Sequence, residues 1–200
     1  MEVFVLRVDF DADGNRPWGM LRDEVELEET WPLYDGRPLA PTWQPMTVTL
    51  HEADQHAEFV YFTAGGWAVR PAVRAALESV LGGAAEFLPL ACDTGDEFFA
   101  LHPLQLVELG PDADARRNEV SGNITDIRRY SFEPAALTGM LCFRVRHPVG
   151  SAAGPEAGGS EVLVSQAVRV CVERHGFRGV RCVPAFPVDE RWSRRTTTCT

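Results

Sequence analysis

Apolar and polar positions alternate weakly over Val3 to Phe10, which predicts an opening strand closed by the turn-forming stretch Asp11-Ala12-Asp13-Gly14-Asn15. Met46 to Leu50 and Glu58 to Phe62 read as two further strands. Between Arg70 and Leu81 the period changes. Ala72, Val73, Ala76, Leu77 and Val80 recur at spacings of one, three or four, which puts them on one helical face. Pro71 suits the first turn, where its missing N–H costs nothing, and Gly82-Gly83 supplies the stop. Phe87 to Leu90 is extended again, and after the turn Asp93-Thr94-Gly95-Asp96 a strand runs from Phe98 to Leu109 that Pro103 must bend or hold at an edge. Gly110 to Asn123 is polar and reads as a loop. Ile127 to Phe132 and Leu141 to Val145 read as strands, separated by a turn or short helix at Pro134 to Leu137. Beyond the small-residue insert Val149 to Ser160 come a strand from Glu161 to Val164, a helix with Ser165 as N-cap and Gly176 as C-cap, and a strand from Val180 to Val183. That second helix turns Val168, Cys171 and Val172 inward.

The two helical segments echo one another. Trp67 to Cys92 lies over Val162 to Pro187 without a gap, matching Val69 with Val164, Ala72 with Ala167, Val73 with Val168, Arg74 with Arg169, Glu78 with Glu173 and Pro89 with Pro184. Each copy reads as strand, amphipathic helix, strand. The expectation is an α+β fold, with two related strand–helix–strand halves forming a mixed or antiparallel sheet and the helices packed on it. Residues 1–187 are taken as one domain with halves near 1–110 and 111–187, and 188–200 as a flexible tail.

Pro17, Pro32, Pro38, Pro41 and Pro45 keep regular structure short in the first quarter, where Trp18, Trp31 and Trp43 offer aromatic anchors. No apolar run reaches the roughly 20 residues that cross a bilayer, and MEVFVLRVDF lacks the regions of a signal peptide, so a cytoplasmic protein is expected. Cys92, Cys142, Cys171, Cys182 and Cys199 are odd in number and show no metal-ligand spacing, which fits reduced thiols. All 19 basic residues are arginine, a bias of codon supply in a GC-rich genome. The formal net charge of −10 opposes a nucleic-acid partner, which needs a basic footprint, and suits a basic protein surface instead. The densest acidic feature, Asp23-Glu24-Val25-Glu26-Leu27-Glu28-Glu29, alternates like an edge strand. It serves either to block unwanted strand pairing or to bind a partner.

Motifs that would carry chemistry are incomplete. Asp9-Phe10-Asp11-Ala12-Asp13-Gly14 opens like a calcium loop, but Pro17 stands at the ninth position and Met20 where the bidentate glutamate belongs. His51 and His56 are five apart, a step that turns the second ring away from a zinc shared with the first. Cys171 and His175 sit four apart on a helix, with structural roles expected for both. There is no nucleophile elbow, no phosphate-binding loop and no dinucleotide fingerprint. Glu86, Asp93, Asp96 and Glu97 remain candidates for a scattered acidic site. No catalytic residue, metal or cofactor is assigned.

Read in order, several segments carry a resemblance. They are Leu39 to Pro45 with Trp43-Gln44-Pro45, the strand and helix from Val69 to Leu81, Glu86-Phe87-Leu88-Pro89-Leu90, the strand to Leu109, Phe143-Arg144, Val162-Leu163-Val164-Ser165 and Gly179-Val180-Arg181. Together, across about residues 40–186, the chain resembles family eleven of the bacterial polymorphic-toxin immunity proteins, formerly a domain of unknown function. The resemblance implies a non-enzymatic cytoplasmic antitoxin that binds a cognate toxin, with no catalytic residues to carry over. The long acidic N-terminal segment and the insert Val149 to Ser160 depart from that family's pattern. For contacts with a basic toxin surface the sequence offers Asp23, Glu24, Glu26, Glu28 and Glu29, with Asp112 and Asp114. The competing expectations are an enzyme with a polar site between the two halves, and a regulatory module of a larger assembly.

Overall fold

The computed structural model describes residues 2–9, 18–21, 31–50, 57–62, 66–120, 122, 124–146 and 161–185. Among these described residues thirteen strands and two α-helices follow in chain order. They are β1 (Val3–Val8), β2 (Trp18–Leu21), β3 (Thr47–Leu50), β4 (Phe59–Phe62), β5 (Gly66–Val69), α1 (Pro71–Leu81), β6 (Ala85–Cys92), β7 (Glu97–Pro103), β8 (Gln105–Val107), β9 (Asp114–Arg117), β10 (Ile124–Arg129), β11 (Cys142–Val145), β12 (Leu163–Ser165), α2 (Gln166–His175) and β13 (Val180–Pro184). Short 3₁₀ turns lie at Trp31–Tyr34 and Pro134–Leu137. The strands are dealt into a closed barrel in the order β2-β3-β6-β7-β5-β4, a five-stranded sheet β13-β1-β12-β11-β8, and the two-stranded ribbon β10-β9. The α+β class with mixed and antiparallel pairing is therefore what the chain adopts, distributed over two main sheets.

The internal echo is a repeat of topology. In the barrel, β5 and β6 flank β7 and pair antiparallel with it, so the unit β5-α1-β6 is a split strand–helix–strand whose gap β7 fills. In the open sheet, β12 and β13 flank β1 in the same way. The register agrees residue for residue. Phe99 faces Val69 and Pro89, while Phe4 faces Val164 and Pro184. The correspondence extends outward, because β4 pairs antiparallel with β5 and parallel with β2, as β11 does with β12 and β8. Five strands thus recur in one order, and β3 is the addition that closes the first set into a barrel.

The sequential and spatial halves do not coincide. Along the chain one repeat runs from β1 to β6 and the next from β7 to β13, yet β1 is seated in the second repeat's sheet and β7 in the first's. The repeats have exchanged strands. At the axis between them the Cys171 thiol reaches the carbonyl of Ala76 across a separation of 95 residues, the repeat length, so each residue meets its own equivalent. Contact between self-equivalent positions is the signature of a two-fold arrangement.

The cores follow from this. Phe4, Leu6, Val164, Val168 and Val172 from one half and Phe99, Leu101, Val69, Val73 and Leu77 from the other make a shared central core under the helices. On the far faces the halves differ. The closed barrel has a crowded interior, so Ala68 and Ala100 sit opposite one another there, with Val60, Leu88 and Phe98 filling the space around them. Their equivalents in the open sheet are Leu163 and Val5, larger because the ribbon and the Pro134–Leu137 turn cover that face from a distance. Both helices end in a left-handed glycine, Gly82 at φ 54° and Gly176 at φ 62°, the conformation that only glycine adopts without strain.

Three expectations change. The polar stretch Gly110 to Asn123 contains β9, because Asp114–Arg117 gains its order from pairing with β10 rather than from an apolar face. The single strand expected from Phe98 to Leu109 breaks at Pro103. There the chain leaves the barrel, Leu104 N–H turns back to Ala84 O at 2.9 Å, and β8 begins in the other sheet. Ser165 occupies the N-cap position of α2 but makes no side-chain capping bond. The turn expected at 11–15, the acidic run, the pair His51 and His56, the insert 149–160 and the tail 188–200 lie outside the described residues.

Because Phe4 and Phe99 occupy matching core positions at 3% and 5% exposure, Phe4→Ala and Phe99→Ala should each cost about 3–5 kcal/mol, within about 1 kcal/mol of each other. Urea denaturation of the two variants measures this directly. A cost at Phe4 of under about 1 kcal/mol would remove β1 from the core.

Candidate functional site

Between the two halves lies a group of buried ionisable side chains. Arg144 on β11 and Tyr61 on β4 are equivalent positions of the repeat, and both point toward the shared core. Arg144 is fully buried, with its guanidinium carbon 4.6 Å from the centroid of the Tyr34 ring in a cation–π contact. Burial pushes the Tyr34 hydroxyl up to about 12, against the pull of Arg144, so the phenol stays neutral. Burial likewise raises the Cys142 thiol to about 12, and Arg144 offsets only part of that. A nucleophilic cysteine needs the opposite shift. The cluster supplies a held guanidinium, the neutral Tyr34 phenol and a protonated thiol.

The barrel mouth nearby is closed by a strap. His102, at the end of β7, holds the carbonyl of Leu33 at 3.1 Å through Nδ1 and that of Arg37 at 2.8 Å through Nε2. One ring N–H donates to one of these carbonyls in the neutral form. Glu86 on β6 accepts the N–H of Leu39 at 2.7 Å and of Ala40 at 3.3 Å, and Trp43 Nε1–H donates to Pro89 O at 2.7 Å. The proline-rich stretch is thus anchored by Trp43, the aromatic role expected of it. Glu86 is committed to the strap. Asp96 sits at the opposite end of the β6–β7 hairpin, bonded to Thr94 and 3.4 Å from Arg70, so the structure does not gather these carboxylates into one site.

Two further surfaces lie among the described residues. A shallow groove of about 280 Å³ runs between α1 and α2, lined by Ala76, Ser79, Val80, Ala167, Val170, Cys171, Arg174 and His175. Val170 is 48% exposed there. His175 stacks on Phe177 at 5.1 Å, and its Nδ1 lies 2.8 Å from the Cys171 carbonyl, so this Cys–His pair is engaged in local structure as expected. The ribbon carries Asp112 and Asp114, both exposed, but their surroundings are mixed. Arg129 faces Asp114 across the strands and donates to the Asp112 carbonyl at 2.9 Å, while Arg116, Arg117 and Arg128 stand alongside. Asp23, Glu24, Glu26, Glu28 and Glu29 lie outside the described residues. The described residues hold 17 acidic and 14 arginine side chains against 29 and 19 in the whole chain, so most of the excess negative charge lies beyond them.

Sequence reasoning missed the Arg144 cluster. Its one signal was an arginine inside the apolar strand Cys142-Phe143-Arg144-Val145. Among the described residues the four cysteines are free, no three potential metal ligands cluster, and no helix is long and apolar enough to cross a membrane. No family model matches the chain, and no curated protein matches it.

Burial lowers the His102 pKa below its ordinary 6.5, more than its two carbonyl partners raise it. The unfolded chain therefore takes up a proton near pH 6.5 that the folded chain refuses. Stability supplied by the neutral ring is complete above pH 6.5 and declines as the pH falls below it. The slope of unfolding free energy between pH 7 and pH 5 should be shallower in His102→Gln than in the parent, and equal slopes would remove His102 as the titrating group.

Proposed function

We propose that this chain is an immunity protein, a cytoplasmic antitoxin that neutralises a cognate bacterial toxin by direct binding. One observation carries the reading: the segments behind the family resemblance are contact partners. Leu39 to Pro45 is strapped onto Glu86 to Leu90 through Glu86, Leu39, Ala40, Trp43 and Pro89. Phe143-Arg144, Val162 to Ser165 and Gly179 to Arg181 assemble the other sheet and its junction with the first. A set of soft motifs that meet in space is what a shared scaffold would preserve. The buried ionisable groups serve that scaffold, which leaves the charged exterior to meet a partner.

The net charge of −10 gives the complementary potential for a basic toxin surface and would speed encounter by long-range steering. The Asp23 to Glu29 run is the leading candidate contact, since no arginine interrupts it in the sequence. Asp112 and Asp114 contribute less, because the ribbon arginines offset their field.

The test is neutralisation by the full chain of a large secreted or contact-delivered protein encoded beside it and ending in a basic domain. A 1:1 complex and rescued growth are expected. Reversing all five acidic charges of the 23–29 run should slow association by about tenfold or more at low salt and flatten its salt dependence. Asp112→Asn with Asp114→Asn should change the rate by less than about threefold. Unchanged kinetics after the five-charge reversal would discard that contact, and failure to bind any such toxin would discard the immunity reading.

A further inference from the structure

The strand exchange defines a slot with known occupants. Between β12 and β13 the two flanking strands run parallel and do not pair with each other, and β1 completes both ladders. Between β5 and β6, β7 does the same with the same partners in register. The two inserts share a pattern. Phe4-Val5-Leu6 and Phe99-Ala100-Leu101 each send a phenylalanine and a leucine two apart into the central core, with a small or β-branched residue between them facing the other way.

Both slots also grip the insert identically. The guanidinium of Arg169 lies 4.7 Å from the Phe4 ring centroid and that of Arg74 4.5 Å from the Phe99 centroid. Each arginine is fixed by an ion pair one turn on, Arg169 to Glu173 at 2.8 Å and Arg74 to Glu78 at 2.7 Å. Each insert is closed at its end by one backbone bond, Asp9 N–H to Gly179 O at 3.2 Å and Leu104 N–H to Ala84 O at 2.9 Å.

The inserts differ in how they are tethered. β7 is held on both sides, by a four-residue turn to β6 and by Leu104 to β8. β1 finds its strand partners only at residues 163–184, far along the chain, while β2, the next described strand, belongs to the barrel. A strand so placed is bound by contacts rather than by its neighbours in sequence. Those contacts are available to any copy of the same strand.

We propose that the gap between β12 and β13 is a strand-acceptor site for a Phe-x-Leu segment supplied in trans, and that its occupant is β1 of a second copy of this chain. Two chains that trade β1 reciprocally bury the same surfaces as two separate chains, so exchange needs no new contact and is governed by concentration. Recognition lies in the ladder on both edges and in the phenylalanine beneath the Arg169 guanidinium.

The experiment uses the full chain carrying Phe4→Asp and Leu6→Asp, which leaves its own β1 unfit for the slot. Whether that variant is weakened or unfolded, saturating peptide 2–9 (EVFVLRVD) should raise its melting temperature by about 5–10 °C or restore its far-ultraviolet circular dichroism. Peptide 97–104 (EFFALHPL) should do the same, and a peptide 2–9 carrying the two aspartates should not. The unaltered chain, refolded from denaturant at rising concentration, should yield a dimer by light scattering that the double variant does not form. Absence of rescue by both natural peptides, equal rescue by the aspartate peptide, or a monomer at every concentration would overturn the proposal.

Discussion

A strand with two parallel neighbours that cannot reach each other is the constraint on which this molecule rests. Remove β1, and β12 and β13 are left with bare ladder edges and with Val164, Val168, Val172 and Val180 facing an open gap. Backbone groups left without partners in a buried place are as costly as lost side-chain packing, so the sheet and its core form together or not at all. The same holds for β7 in the barrel. Since each repeat holds the strand the other lacks, neither half of the chain has a complete sheet of its own, and the two are joined by interlocking rather than by surface contact. The one-to-one register across both gaps extends this beyond topology to individual side chains.

Where the two-fold axis passes, equivalent positions must meet, and they cannot all be alike. Ala76 meets Cys171, one small enough to let the helices approach and the other able to point its thiol at a carbonyl 3.7 Å away. Tyr61 and Arg144 are a second pair of equivalent positions, coupled electrostatically, and the chain has broken its own symmetry there by setting a guanidinium against the Tyr34 ring. A buried guanidinium is costly unless its surroundings are fixed. The Tyr34 ring provides one flat partner and ties the Trp31–Tyr34 turn to the junction. The strap that follows, from His102 to Trp43, extends the same anchoring across the barrel mouth. A further asymmetric link joins barrel to sheet, with Phe59 N–H donating to Arg178 O at 3.0 Å and the Arg178 guanidinium 3.2 Å from Glu58.

The helices and the echo around them were readable from the sequence because their signals are local. A 3.6-residue period, Pro71 at the start and Gly82 and Gly176 at the ends suffice for both helices, and their residues align without gaps. The equivalence of β1 with β7 was not readable. It rests on six paired residues, 3–8 with 98–103, in which only Phe4 with Phe99 and Leu6 with Leu101 agree, and on a seating opposite to chain order. Nor was the equivalence of β4 with β11, because the insert from Val149 to Ser160 breaks the register between β11 and β12. Barrel closure turns on β3 reaching both β2 and β6, a long-range matter that no period encodes. The ribbon went unread for the opposite reason: Asp114–Arg117 shows no apolar alternation and is ordered by backbone pairing. Of the candidate contacts, charge density marked the acidic run, but a tally of signs cannot show that Asp112 and Asp114 stand among four arginines.

The position of β1 also sets a timetable during synthesis. It leaves the ribosome well ahead of its partners, with Val3, Phe4, Val5 and Leu6 destined for burial, since Val3 is opposed in the finished sheet by Ser165 and Val8 by Val180. At about 5–20 residues per second, those partners follow on the order of ten seconds later. For that interval the nascent chain carries the apolar segment Val3–Leu6 without its partner strands, which makes β1 a stretch for a chaperone to shield.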